Sequence, residues 1–169
     1  NMDGRLAGVI KDEPELTSEE MDSIGVKKIF MDIGYQYVET LLWQNHHLNY
    51  NPDDYKIDME FKSGWIVNQK ENEYNPAHYH SNCNISAVLY LKVPEFKLRG
   101  YVGKKIIDGY IEFINSTVDH SMLSAGTYLV KPEVGKLLMF PSTLLHTVYP
   151  FQGPDERRSL AFNLNYKLV

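Results

Sequence analysis

Three histidines in two short motifs are the residues of this sequence best suited to chemistry. His78 and His80 flank one residue in His-Tyr-His, and His146 ends the stretch Phe-Pro-Ser-Thr-Leu-Leu-His. On an extended strand, residues two apart point to the same face with Cα atoms roughly 6.5 Å apart, so both imidazoles can reach one ion. Because His146 can supply a third ligand, the pattern predicts a site for a divalent metal.

A second motif, Arg-Arg-Ser at residues 157–159, follows His146 closely and supplies groups that bind a carboxylate. Strand alternation decides which arginine faces the metal. One face of the predicted strand carries Leu160, Phe162 and Leu164 and is expected to pack against a helix. The other face, expected to line the interior, carries Arg157, Ser159, Ala161 and Asn163. We therefore predict that Arg157, and not Arg158, binds the carboxylate.

The stretch from Trp65 to Asn165 resembles the double-stranded β-helix core of the 2-oxoglutarate/Fe(II)-dependent oxygenases, and most of all a small subfamily of them. The resemblance rests on the order and spacing of five motifs, each weak when taken singly. These motifs are His78-Tyr79-His80, Ser86 to Leu91, Gly135 to Ser142, His146-Thr147-Val148 and Arg157 to Asn163.

The resemblance implies a cofactor, a cosubstrate and a reaction. The metal is then Fe(II), the cosubstrate is 2-oxoglutarate, and the protein is a dioxygenase that hydroxylates an unidentified small-molecule or protein substrate with molecular oxygen while 2-oxoglutarate is decarboxylated to succinate. Tyr90 stands where the prolyl-hydroxylase-like branch places a tyrosine hydroxyl on the distal carboxylate. The residues assigned to 2-oxoglutarate are Tyr90, Arg157, Ser159 and Asn163.

Two residues just upstream of the first histidine motif are candidates for the substrate opening. Trp65 and Asn68 have the types and position for that role. A core tryptophan and a turn asparagine are equally good interpretations, and the sequence leaves both open.

One departure from the family pattern bears on the chemistry. Most of the superfamily has His-x-Asp or His-x-Glu at the first motif, whereas this chain has His80 in the carboxylate position. Three neutral imidazoles leave the metal with its full charge, which favours binding of a dianionic 2-oxoacid. Imidazoles also donate less electron density to iron than a carboxylate ligand does. The alternative is that His80 does not ligate, and that water or a more distant acid such as Glu73 takes the position.

Composition limits the remaining possibilities. A chain of 169 residues, 43% of them hydrophobic, predicts one domain with a substantial core. A formal charge of −5 without a run of Lys or Arg argues against nucleic-acid binding.

Cys83 is the only cysteine, so no intrachain disulfide can form. With no apolar stretch long enough to span a bilayer, we expect a cytoplasmic protein without membrane contact. The oligomeric state stays open, a homodimer included.

The pattern of elements predicts a mainly β fold. Residues 1–55 are expected to form a lead-in with one or two supporting helices. The main one is predicted over about 18 residues from Val26, with a stripe of Ile29, Phe30, Ile33, Tyr37, Leu41 and Leu42. Residues 56–169 predict a double-stranded β-helix, a jelly-roll or cupin-like barrel. Its eight strands are expected at residues 56–61, 64–69, 85–93, 110–115, 127–130, 136–140, 146–149 and 159–167. Residues 96–109 are expected to form an irregular insertion of the kind that serves as a lid.

Two other functions remain open at this point. The first is a cupin-like metalloenzyme with three histidines, whose substrate binds the metal directly without a 2-oxoacid. Arg157-x-Ser159 argues against it, and so does the lack of the glutamate that cupins carry a few residues after His-x-His. The second is a non-catalytic barrel that binds a small acid, which the missing carboxylate ligand favours.

Overall fold

The described residues form two antiparallel sheets and two helices. The structure, a computed structural model, describes residues 8–44, 51, 55–96, 107–115 and 126–169. In chain order the described elements are β1 (Glu15–Leu16), α1 (Ser18–Ser23), α2 (Val26–Gln44), β2 (Ile57–Gln69), β3 (Asn75–His78), β4 (Ile85–Lys92), β5 (Ile111–Ile114), β6 (Thr127–Val130), β7 (Leu137–Pro141), β8 (Leu145–Val148) and β9 (Arg157–Leu168).

The strands form a five-stranded sheet in the order β1-β2-β9-β4-β7 and a four-stranded sheet in the order β3-β8-β5-β6. Every pairing is antiparallel, and neighbouring strands in each sheet are mostly distant in sequence. This topology confirms the predicted double-stranded β-helix with supporting helices.

Strand β2 differs from the prediction because two expected strands are one. Residues 57–69 form one strand along β9, with a bulge between Phe61 and Ser63. The bulge lies where the sequence pattern suggested a break between two strands. Strand β3 was not predicted, since Asn75-Pro76 is a poor strand sequence. Pro76 lacks the N–H that a regular ladder needs, and the pairing of β3 with β8 shifts register between Asn75 and His78.

Helix α2 supports the larger sheet from outside, as predicted, but its buried stripe is narrower. The buried residues are Phe30, Gly34 and Val38, each one turn after the last. The expected stripe was wrong at Ile29, which is 53% exposed, and at Leu41, which is 36% exposed. Phe30 stacks on Phe162 with ring centroids 3.9 Å apart.

The core beneath α2 confirms the predicted helix-facing side of the last strand. Leu160, Phe162 and Leu164 are buried in one cluster with Phe30 and Val38. The opposite face of β9 is therefore free to line the space between the two sheets.

The segment before the first helix closes one side of that space. Residues 12–16 pair with the edge of β2, through Ile66 N–H to Pro14 O, Asn68 N–H to Asp12 O and the register Glu15 opposite Trp65. Val9 donates its N–H to Tyr74 O, next to β3 of the other sheet. Residues 8–16 thus bridge the two sheets, and we call them the N-terminal strap.

Two further expectations concern the lid and the membrane. Most of the predicted insertion, residues 97–106, lies outside the described residues. Within the described part of the chain, no helix has the length and apolar character to cross a bilayer.

The packing of β9 against α2 predicts a large cost for truncating Phe162. This ring is fully buried, so Phe162→Ala should lower the free energy of unfolding by about 3–5 kcal/mol. The matched control is Ile29→Ala on the exposed side of α2, expected to change it by less than about 0.5 kcal/mol. Urea denaturation monitored by circular dichroism measures both, and similar losses in the two variants would contradict this orientation of the helix.

Candidate metal and carboxylate site

The smaller sheet brings the three histidines together. His78 is the last residue of β3 and lies opposite His146 of β8. His80 lies just beyond the strand end, where its N–H donates to Ser142 O at 2.9 Å. One nitrogen from each of the three rings lies within 4.8 Å of the others. The two rings converge as the His-x-His spacing indicates, although only His78 belongs to a strand.

Backbone carbonyls orient two of the three rings. Nδ1 of His78 is 2.7 Å from Pro76 O, and Nδ1 of His146 is 2.9 Å from Leu144 O. A carbonyl only accepts, so each Nδ1 carries the proton and donates it. This tautomer leaves the Nε2 lone pair of both rings available to a metal, which is the usual outer arrangement of metal-binding histidines.

Aromatic neighbours hold the third ring. His80 stacks almost parallel on His146 with centroids 5.3 Å apart, and the Trp65 ring lies 5.9 Å from it on another side. Phe140 packs edge-on against His146 at 4.9 Å. Aromatic rings thus pack against His80 and His146, while His78 and His80 stay partly exposed.

Burial keeps all three imidazoles neutral. It is the largest cause lowering the pKa of His146 to about 3 and that of His80 to about 4, with repulsion from His78 as the next cause. Burial also lowers the pKa of His78, against the opposing hydrogen bond to Pro76 O. Neutral imidazole is the form that ligates metals, so protons do not compete for the ring nitrogens near neutral pH.

The carboxylate-binding motif lies inside the fold. Arg157 is only 2% exposed and donates from Nη1 to Gly109 O at 2.8 Å. Its Nε has no hydrogen-bond partner, and no described carboxylate pairs with it. Burial lowers the pKa of Arg157, yet a guanidinium remains charged in proteins. A buried cation of this kind is costly unless an anion joins it.

Two hydroxyl groups accompany Arg157. The guanidinium carbon lies 5.6 Å from the centre of the Tyr90 ring. Tyr90 and Ser159 are opposite each other on β4 and β9, and both are buried. Burial raises the pKa of the Tyr90 hydroxyl, so it stays a neutral donor.

One cavity joins the two halves of the site. Of the residues predicted from the sequence, those that line it are Trp65, His78, His80, Tyr90, His146, Arg157 and Ser159. Much of the remaining wall is apolar, with Val67, Ala87, Val88, Ile111, Phe140, Val148 and Ala161. The fold therefore collects three imidazoles that could hold a metal ion and a buried guanidinium around one space.

Three residues named in the sequence analysis are not brought to this cavity. Asn163 is on the same face of β9 as Arg157 and Ser159 but is not among the cavity-lining residues, and its Oδ1 accepts from Ser86 Oγ at 2.8 Å. Asn68 faces the other way and binds Asp12 and Arg158. Glu73 accepts from the N–H of Lys70 in the turn after β2, outside the histidine cluster.

The cavity also contains residues that sequence patterns did not single out. Glu13 comes from the N-terminal strap and is buried, and Asn75 comes from β3. Glu13 lies in a short acidic run whose neighbours are exposed, so its composition suggested a solvated turn. Alternation in a paired edge segment separates Glu13 from Asp12 but not from Glu15, so the burial of Glu13 follows from where the segment packs.

The donor set fits a divalent first-row metal. Three neutral nitrogen ligands with compact spacing match what iron, zinc or copper accept, and the set leaves room for further ligands. Arg157, Tyr90 and Ser159 then provide a place for an anion in the same cavity.

Solved structures with this fold include two prolyl hydroxylases. A prolyl-4-hydroxylase from Pseudomonas putida is 17% identical with a TM-score of 0.51, over 90% of this chain and 71% of that one. A viral collagen prolyl hydroxylase from Paramecium bursaria Chlorella virus-1, solved with 2OG, is 16% identical with a TM-score of 0.50, over 90% and 77%. Identities this low establish the fold alone.

Coverage differs among the similar structures. This chain spans only 46% of the length of an oxidoreductase of the 2OG-Fe(II) oxygenase family from Burkholderia pseudomallei, which is 13% identical with a TM-score of 0.49. No curated protein sequence matches the chain.

Residues 63–163 match the family described as "Putative 2OG-Fe(II) oxygenase". This match covers more than half of the sequence and includes all three histidines, Tyr90, Arg157 and Ser159. The chain belongs to this family of 2OG-Fe(II) oxygenases.

Proposed function

We propose that this protein is a 2-oxoglutarate- and Fe(II)-dependent dioxygenase that hydroxylates a substrate still to be identified. In the overall reaction one atom of molecular oxygen enters the substrate as a hydroxyl. The other enters succinate, while C1 of 2-oxoglutarate leaves as carbon dioxide. The observation that supports this proposal best is the buried Arg157 guanidinium, which has no carboxylate partner among the described residues and lines the same cavity as the three imidazoles.

His78, His80 and His146 would hold the metal. When bound, iron supplies the site at which a 2-oxoacid and oxygen meet and react. The protein's part is to keep the imidazoles neutral and fixed. Carbonyl oxygens orient His78 and His146, and ring stacking orients His80.

The distal carboxylate of 2-oxoglutarate would bind at Arg157. A carboxylate there would neutralise the buried charge and could accept from the free Nε–H as well as from the hydroxyls of Tyr90 and Ser159. This arrangement selects a dicarboxylic 2-oxoacid over a monocarboxylic one, because a shorter or uncharged ligand would leave the cation unpaired.

Apolar walls would protect the reaction from water. Phe140, Ala161 and Trp65 line the space beside the histidines. Excluding water strengthens electrostatic contacts inside the cavity and prevents side reactions of a bound oxidant. Trp65, which contacts His80, is also the best-placed residue for contact with the primary substrate.

The metal site can be tested by single substitutions. His78→Ala and His146→Ala should each abolish iron binding, because two remaining protein ligands rarely hold a labile divalent ion. Tyr79→Ala is the matched control, since Tyr79 lies between the two histidines but is 63% exposed. Anaerobic titration with Fe(II) gives the stoichiometry, and full binding in either histidine variant would contradict the ligand assignment.

The cosubstrate can be tested by visible spectroscopy. Anaerobic addition of Fe(II) and then 2-oxoglutarate should produce a metal-to-ligand charge-transfer band, because the 2-oxoacid binds the metal through its keto and C1 carboxylate oxygens. A cupin-like enzyme without a 2-oxoacid, or a non-catalytic barrel that binds an acid away from the metal, gives no such band. Its absence in iron-loaded protein would rule out the proposed reaction.

The carboxylate site predicts an order of affinities among variants. Arg157→Ala should cost about 2–5 kcal/mol of 2-oxoglutarate affinity, since it removes the charged partner of a buried carboxylate. Iron binding should survive. Tyr90→Phe and Ser159→Ala should cost less, because each removes one neutral hydrogen bond to a charge.

Arg158→Ala is the matched control for this series. Arg158 is exposed, on the opposite face of β9, and pairs with Glu156, so its loss should change affinity little. Calorimetric titration of the four variants with an unreactive 2-oxoglutarate analogue measures the order. Equal affinity in all four would remove the assignment of this cavity to 2-oxoglutarate.

A further inference from the structure

Glu13 is a buried acid in the wall of the cavity and has no role in the site described so far. It is 1% exposed and is the only carboxylate among the described residues that line this space. It belongs to the N-terminal strap, which precedes residues 63–163 and so lies outside the family match. Its side chain shares this cavity with the three imidazoles and the Arg157 guanidinium, so a charge on it acts on whatever ions bind there.

The pairing of the strap with β2 fixes where Glu13 lies. The hydrogen bonds from Ile66 N–H to Pro14 O and from Asn68 N–H to Asp12 O place Glu13 opposite Val67. Val67 lies opposite Ser159, which lies opposite Tyr90. Glu13 therefore begins a row across the larger sheet that ends in two of the proposed carboxylate-binding residues.

The strand that carries this row also contacts the histidine cluster. Trp65, two residues before Val67 on β2, has its ring centroid 5.9 Å from that of His80. Glu13 and the three histidines line the same cavity, and Glu13 is not part of the ligand cluster.

Counting charges suggests what this carboxylate does. Iron(II) brings +2, 2-oxoglutarate −2 and Arg157 +1, and three neutral imidazoles add nothing, so the loaded site carries +1. In the His-x-Asp pattern the acidic ligand cancels this charge. Here His80 takes that position, and Glu13 can provide the missing −1 from the cavity wall.

We propose that Glu13 is a positioning residue whose negative charge replaces, from outside the ligand set, that of the absent carboxylate ligand. This inference rests on the proposed function. It predicts opposite effects on the two ligands. The charge of Glu13 strengthens binding of the divalent metal ion and weakens binding of the 2-oxoglutarate dianion. A purely structural role would affect both in the same direction.

The test uses Glu13→Gln, which removes the charge and keeps the shape. Affinity for Mn(II), which supports no turnover, is measured by calorimetry, and so is the affinity of the Mn(II)-saturated protein for 2-oxoglutarate. We expect metal affinity to fall and 2-oxoglutarate affinity to rise, each on the order of tenfold, because one unit charge is removed from the wall of a partly buried site. Glu13→Asp keeps the charge and should leave both affinities near those of the wild type.

The matched control is Glu15→Gln, an exposed acid two residues along the strap whose loss changes the net charge equally. It should leave both affinities unchanged. Parallel losses of metal and 2-oxoglutarate affinity in Glu13→Gln, or no change in either, would overturn this inference alone. Wild-type protein that binds neither Mn(II) nor Fe(II) would overturn the proposed function, and this inference with it.

Discussion

The pairing of β2 with β9 is the constraint on which the rest of the structure depends. These two long strands run side by side for most of their length, and their register fixes which side chains face each way. Leu160 and Phe162 point to α2 and form the core, while Arg157 and Ser159 point between the sheets. A slip of one residue would bury Arg158 and expose the core residues, so packing of the helix also secures the site.

Stability and function make opposite demands on the inner face of β9. The outer face is a conventional apolar core that favours folding. The inner face buries a guanidinium whose desolvation opposes folding and is compensated only in part by Gly109 O and by the Tyr90 ring. Ligand binding and stability should therefore be linked, because an anion that binds Arg157 binds the folded state alone.

Much of the site could be predicted from the sequence because its signals are local and periodic. His-x-His, the later His146 and the alternation from Arg157 to Phe162 each depend on residues close together in the chain. The predicted residues that do not line the cavity have a different explanation. Asn68 has the same sequence neighbourhood as Trp65 but the opposite parity on β2, so it binds Asp12 and Arg158 outside the cavity. Alternation along the predicted strand 64–69 already places the two on opposite faces, so parity alone separates them.

Glu13 shows why the remaining part could not be predicted. Its position depends on an edge pairing with only a short regular strand, β1, whose partner Trp65 lies some fifty residues away in the sequence. No periodicity of apolar residues marks such a segment in the sequence. An acidic residue in an acidic stretch is normally solvated. The motif that departs from the family, His80, and the acid that faces the same cavity thus lie in different parts of the chain. His80 and Glu13 reach the same cavity only because the N-terminal strap pairs with both sheets. That pairing joins distant parts of the chain, so a local sequence pattern does not reveal it.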